Sequence, residues 1–450
     1  MVTKSQTAAL PSGGGRAKRD VMTVLADKIA NWEKSLERWP PAVLTSLALV
    51  VGFLLVVSRD PNMLLNAQFF GEDGWVWYPE AQTHGWASLL SPTSGYLNSF
   101  QRLVVVVCST FLPLRVTPLV CNTVAVLVQV MPALLLLSPR GPAVIKPLWA
   151  RLAFALIYLL LPNEAELVGH LVNAQWHLAV AAFLVLCMET PKGWLEVVGD
   201  AVILIASGLS GPFCLFLLPI ALVLWFTRRN SIALAYVVLI VLSCMVQGIF
   251  IADMNHARSA APLGASAEVL ARILAMHIFA GAEFGGFIQN QLGFGLPWAT
   301  MILVPVAMVA IMACAVVWGA KETPLPLLLF GIFAVAILVA SLIKPSASLT
   351  EAQWPILQYA GSASRYFVFL MIAWIGVLFV LAGSENLNKR LLGKLLLALV
   401  VLVAIPLDWA LPRQSDNGFY QRVAEFEKSS AGTSMEFAMP SGGKMVLVKQ

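Results

Sequence analysis

The chain has 450 residues, of which 59% are hydrophobic and only 12% charged. Soluble domains carry about 25% charged residues, so the composition excludes an ordinary soluble domain. The net charge of +5 is concentrated near the N-terminus, where a membrane-topology anchor explains it better than nucleic-acid binding.

Residues 1–40 are polar and basic, with Lys4, Arg16, Lys18, Arg19, Lys28, Lys34 and Arg38. No cleavable signal peptide is visible. Residues 1–20 read as disordered, and 20–38 as a basic amphipathic helix on the membrane surface. Apolar spans are expected at 41–58, 117–138, 148–162, 176–189, 196–208, 212–227, 231–250, 297–318, 325–343, 365–383 and 392–407, near the roughly 20 residues that a crossing needs. The fold class is therefore an all-α polytopic membrane protein. Basic loops face the cytoplasm: the N-terminus, Arg140/Lys146/Arg151, Arg228-Arg229 and Lys389/Arg390/Lys394. These agree only if the apolar helix at 97–113 is re-entrant or lies on the surface. That leaves about eleven transmembrane helices, a cytoplasmic N-terminus and an extracytoplasmic C-terminus. The transmembrane domain then covers 41–407, with a long outer loop at 59–115 and a short extracytoplasmic tail at 408–450.

All five histidines (His84, His170, His177, His256 and His277) then lie at or near the outer face. Residues 266–284 read as an amphipathic surface helix before the span at 297. In the tail, Met435–Lys449 alternates around Pro440-Ser441-Gly442-Gly443, as a small hairpin does. The six cysteines lie in apolar segments, without a disulfide framework or a CxxC site.

Chemistry-bearing residues gather in the outer loops. Phe69-Phe70-Gly71-Glu72-Asp73-Gly74-Trp75 places two adjacent carboxylates in a Trp/Tyr-rich loop. Such a pair can supply a general base and a metal ligand. Asp73 could also cap a helix running to about residue 90. Glu166, His170, Asn173 and His177 are spaced +4, +3 and +4, which on a helix is one face. That stripe suits a sugar, a phosphate or a divalent metal, or hydrogen bonding within the bundle. Arg102 and Arg365 are cations at outer helix ends, and a guanidinium fork suits phosphate; snorkelling is the plainer reading. Ser207-Gly208-Leu209-Ser210-Gly211-Pro212-Phe213 breaks a hydrophobic stretch, either as a tight turn or as a cavity lining. Asp253, His256, Arg258 and Glu283 show no interpretable spacing. No phosphate-binding lysine loop, GxGxxG, HExxH or GxSxG is present.

Glu72-Asp73-Gly74, Gly95-Tyr96 through Arg102, Asn173-Ala174-Gln175-Trp176, Ser210-Gly211-Pro212 and Arg365-Tyr366-Phe367 together resemble the GT-C class of glycosyltransferases, multi-spanning bacterial enzymes that use polyprenyl-phosphate sugars. The resemblance extends over residues 69–367. It implies a GT-C-like fold in the bacterial cytoplasmic membrane. It also implies transfer of a sugar from a polyprenyl-phosphate donor to a surface glycan, lipid-linked glycan or protein. Asp73 or Glu72 would be the base. Arg102, Tyr96, Glu166, His170, Asn173, His177, Arg365 and Tyr366 would bind substrate, with the arginines on the lipid phosphate. A divalent Mg or Mn ion, if used, would have Asp73, Glu166 and His170 as candidate ligands. No large outer domain follows the last span, so a peptide acceptor is not expected. A transporter or flippase of lipid-linked sugars is the alternative, although such proteins place ionisable groups at the midplane of repeated halves. A non-catalytic scaffold is the third reading.

Overall fold

A computed structural model describes residues 28, 35, 39–252, 261–293, 297–321, 323–348 and 350–449. The expected surface helix at 20–38 lies almost wholly outside them, as do Asp253, His256 and Arg258.

Long apolar runs close all their backbone hydrogen bonds locally, which is what hydrocarbon demands of a chain. Among the described residues, seven helices are long and apolar enough to cross a membrane: Pro41–Arg59, Thr117–Leu137, Ser231–Ala252, Ala267–Gln291, Pro297–Trp318, Leu325–Ile343 and Leu387–Leu407. Shorter apolar helices include Ser99–Phe111, Leu148–Leu159, Leu171–Cys187, Phe213–Arg228 and Val368–Ala382. Trp194–Gly208 adds a helix of 15 residues.

The connections sort into two sets at the two ends of the bundle. At one end, Asp408 accepts from the amides of Asn163, Gly286 and Phe287. Arg59 Nη2 donates to Asp408 O at 3.2 Å, Arg365 pairs with Glu166, and the amides of Ser99 and Gly211 bond to the carbonyls of Leu209 and Leu97. At the other end, Arg140 grips Asp200 with two bonds of 2.9 and 2.7 Å and donates to Glu189 O at 2.8 Å. Tyr236 donates to the same Asp200, and Arg228 donates to Cys187 O at 2.9 Å. The Thr117–Leu137 helix joins the two sets, a separation of about 30 Å at 1.5 Å per residue. The first set is called the polar end below, because it holds the long loops.

Two helices keep both ends in the polar set. Ser99–Phe111 starts beside Ser210, whose hydroxyl accepts from Phe100 N at 3.0 Å. Just beyond its far end, Arg115 lies over the Tyr420 ring at 5.8 Å. Ala267–Gln291 likewise starts just after Pro262, whose carbonyl bonds Gln353 N at 3.0 Å, and bends at Gly285 (φ +66°), against Asp408. The surface position expected for 266–284 is corrected here. Ile273, Met276, His277 and Phe279 are buried, and His277 stacks on Phe367 with ring centroids 4.1 Å apart. The hydrophobic face of this segment is covered by protein.

The C-terminal tail folds back onto the first long loop. Phe419–Lys428 is helical, and β1 (Ser434–Ala438) pairs antiparallel with β2 (Lys444–Val448), as the alternation suggests. The turn needs Gly442 and Gly443, both at positive φ, a region open to glycine without strain. Phe419, Val423, Phe437, Met445 and Leu447 join Phe69, Trp77 and Tyr78 in one buried apolar cluster. The tail is thus not an independent unit: its apolar face is completed by the loop it covers.

Candidate functional site

The acidic loop begins as a turn. Phe70 N donates to Asp73 Oδ1 at 3.0 Å, and Gly74 N bonds to Gly71 O at 3.2 Å. Asp73 therefore ties the chain preceding it. The expected helix cap is not what forms, since no side chain caps the helical segment that begins at Asp73. The helical path ends at His84 and continues as a tight turn over Gly85–Leu90. Gly71 N donates to Ser441 Oγ at 3.0 Å, so the C-terminal hairpin sits on this turn. A Cβ on Gly74 would come within 2.7 Å of Met439. Asp73 is fully buried, and burial pushes its carboxyl well above the usual range. Its Oδ2 has no hydrogen-bond partner. Glu72 is half-buried, which leaves it the member of the pair open to solvent.

The turn rests on the second constellation. The Phe70 ring stacks on His170 with centroids 3.9 Å apart and planes 9° from parallel. His170 Nε2 lies 2.9 Å from Gln414 Nε2. Its Nδ1 is buried without a partner, and burial lowers its pKa to about 4, so the ring is neutral at pH 7. Asn173 Nδ2 donates to Glu166 O at 2.6 Å, and Glu166 pairs with Arg365. The Arg365 guanidinium also lies 4.8 Å from the Tyr366 ring. Glu72-Asp73, Glu166, His170, Asn173, Arg365 and Tyr366 are therefore linked through adjoining segments at the polar end.

The spacing argument for 166–177 needs correction. These residues do not share one helix. Ala165–Leu167 and Leu171–Asn173 are short 3-10 turns, and His170 is extended between them. Gly169 sits at φ +70°, where a Cβ would strike Met63 Sδ at 2.3 Å, so the chain breaks there. Only Ala174–Cys187 is α-helical. His177 consequently leaves the group: its Nδ1 meets Tyr158 Oη at 2.7 Å and its Nε2 lies 3.2 Å from Leu167 O, a structural role within the bundle.

Arg102 leaves it as well. It is 1% exposed, pairs with Glu80 at 2.7 Å, and donates to Ser88 O and Thr93 Oγ1. These bonds hold the 80–93 loop together and occupy both terminal nitrogens. Tyr96 closes the adjacent turn, its carbonyl accepting from Thr93 N at 2.9 Å. The bonds of Arg102 go to the 80–93 loop and not to the acidic pair.

Glu164, Asp408, Gln414 and Arg59 belong to the polar end but carry no sequence pattern that selects them. Glu164 is buried beside Ser364, and burial raises its pKa well above the usual range. Trp176 Nε1 and Asn163 Nδ2 are buried without a hydrogen-bond partner. Buried polar atoms without partners are costly; at the acidic loop they include Asp73 Oδ2 and His170 Nδ1. Among the described residues, no three His, Cys, Asp or Glu come together to hold a metal. Asp73, Glu166 and His170 are brought near each other through neighbours, not onto a shared point.

The sequence matches no known family model, and no curated protein is significantly similar to it.

Proposed function

We propose that the protein is an integral-membrane glycosyltransferase that moves a sugar from a polyprenyl-phosphate donor to a surface glycan, lipid-linked glycan or protein at the outer face of a bacterial cytoplasmic membrane. The observation that carries this reading is the meeting of an accessible carboxylate, an arginine and unpartnered polar groups at one end of the bundle. A transporter has no need of that one-sided gathering.

In this reading about eleven helices cross the membrane, with Ser99–Phe111 and Ala267–Gln291 held at the outer side. Glu72 removes the proton from an acceptor hydroxyl. The hydroxyl oxygen forms a bond to the anomeric carbon as the bond to the phosphate oxygen breaks, which inverts that carbon. The lipid phosphate leaves with its added negative charge facing Arg365, whose fork suits it. Asp73 holds the turn that aims Glu72. His170 stacks its neutral ring on Phe70 and keeps its edge nitrogens for hydrogen bonding. No step is routed through a metal. Arg102, which the motif resemblance places on the phosphate, instead stiffens the loop.

The test uses the purified full-length protein in liposomes with polyprenyl phosphates carrying radiolabelled hexoses or pentoses. Loss of general-base help costs about 10²–10⁴ in rate, so Glu72→Gln should lower label release by that factor. Unchanged release by a folded Glu72→Gln protein contradicts the assignment.

A further inference from the structure

A large cavity lies away from the acidic loop. It has a volume of about 920 Å³, near the top of the ~300–1,000 Å³ common for small-molecule sites. Its mouth is formed at the end of the bundle opposite the polar site, by the 142–147 connection, Pro324, Gly383 and Lys394. Its floor is apolar and buried, with Val180, Phe183, Phe330 and Ile372. The deepest polar group, Tyr158 Oη, is already engaged by His177 Nδ1 at 2.7 Å, so the interior offers nothing to a polar ligand.

The charge at the mouth is one-signed. Among the described residues, Lys146 and Lys394 are the charged lining residues, and no acid lines the cavity. Both lysines are exposed, and neither forms an ion pair among the described residues. Four of the five lining prolines, Pro142, Pro147, Pro324 and Pro326, lie at the rim and have no backbone N–H to donate. The rim therefore meets an anion with ammonium groups. A long apolar slot with cations at one end and Trp149 half-open beside it has the polarity of a lipid entered tail first. Juxtamembrane lysines attract anionic headgroups in this way.

We infer that this cleft is a binding site for one anionic phospholipid, its acyl chain lying over Phe183 and Phe330 and its headgroup phosphate between Lys146 and Lys394. The site is separate from the polar end. Its rigid base is the loop that Arg140 clamps to Asp200, so an occupied cleft would hold the 142–147 connection in place against the Leu387–Leu399 helix, which carries Lys394.

The experiment is native mass spectrometry of the full chain, titrated with phosphatidylglycerol and, separately, with phosphatidylcholine of the same acyl chains. One phosphatidylglycerol should bind at least tenfold more tightly than phosphatidylcholine. The double variant Lys146→Gln/Lys394→Gln should remove that preference. Ala143→Trp, which fills the mouth from its exposed rim, should displace both lipids while leaving the lysines intact. This second variant decides the matter where the lysine variant fails to fold. Equal binding of the two lipids, an unchanged preference in the lysine variant, or full lipid retention in Ala143→Trp overturns the assignment. So does a co-purified polyprenyl phosphate that Ala143→Trp displaces in place of phosphatidylglycerol.

Discussion

Removing the Arg365 side chain separates catalytic from structural roles, because the two carry very different magnitudes. Its pair with Glu166 is not deeply buried, with the two side chains 26% and 23% exposed. Ion pairs of that exposure contribute about 0.2–1 kcal/mol. A kcal/mol of destabilisation shifts the melting temperature of a large domain by roughly 2–4 °C. Arg365→Ala should therefore melt within about 4 °C of the wild type. If the guanidinium meets the charge leaving with the lipid phosphate, its loss should instead remove a transition-state contact worth roughly 2.7–4 kcal/mol, a 10²–10³-fold fall in kcat. Arg365→Lys keeps the charge but not the planar fork, so it should recover only part of the rate. The assay is sugar release in liposomes, run beside thermal unfolding in detergent. A fall in kcat of less than tenfold with normal stability refutes the phosphate role. So does a loss of activity that only mirrors unfolding.

Three further outcomes follow from the geometry. Asp200→Asn should destabilise the protein by about 3–5 kcal/mol, because it strands the buried Arg140 charge; Arg140→Met/Asp200→Leu should restore most of that, measured by thermal melting. Burial keeps His170 neutral, with its pKa lowered to about 4 from the ordinary 6.5 or so. The unfolded chain thus binds more protons between those values, and stability is full above pH 6.5 and lost on acidification towards pH 4. By pH 5 His170 should account for a loss of about 2 kcal/mol, absent from His170→Gln; identical pH profiles for the two proteins would refute this. Gly443→Val places a Cβ 2.8 Å from the Trp75 ring at a φ of +75°. It should loosen the hairpin by roughly 1–3 kcal/mol, read as faster proteolytic loss of the C-terminus.

The sequence makes some of this arrangement legible. Apolar runs and their basic flanks announce the long helices, since solvent chemistry writes itself directly into composition. The hairpin shows in the alternation around Pro440-Ser441-Gly442-Gly443, because strand geometry has a period of two. The stripe over 166–177 misleads because helical spacing presumes a helix. Gly169 and its approach to Met63 break the chain in a way that no local pattern records. Arg102 has the look of a free cation until Glu80, more than twenty residues earlier, is folded against it. Asp408 and Gln414 are invisible for the same reason: their partners, Asn163, Gly286 and His170, lie more than 100 residues away in sequence. Ala267–Gln291 shows its amphipathic face in the sequence, but a face packed on lipid and one packed on protein look alike there, and packing decides it.

The most direct measurement is mass spectrometry of surface glycans, pilin and lipid-linked sugars from cells with and without the gene. The account predicts the loss of one defined sugar, restored by the wild-type gene and not by Glu72→Gln expressed at the same level. An unchanged glycan profile, with lipid-linked sugar accumulated on one leaflet, contradicts it and identifies a flippase.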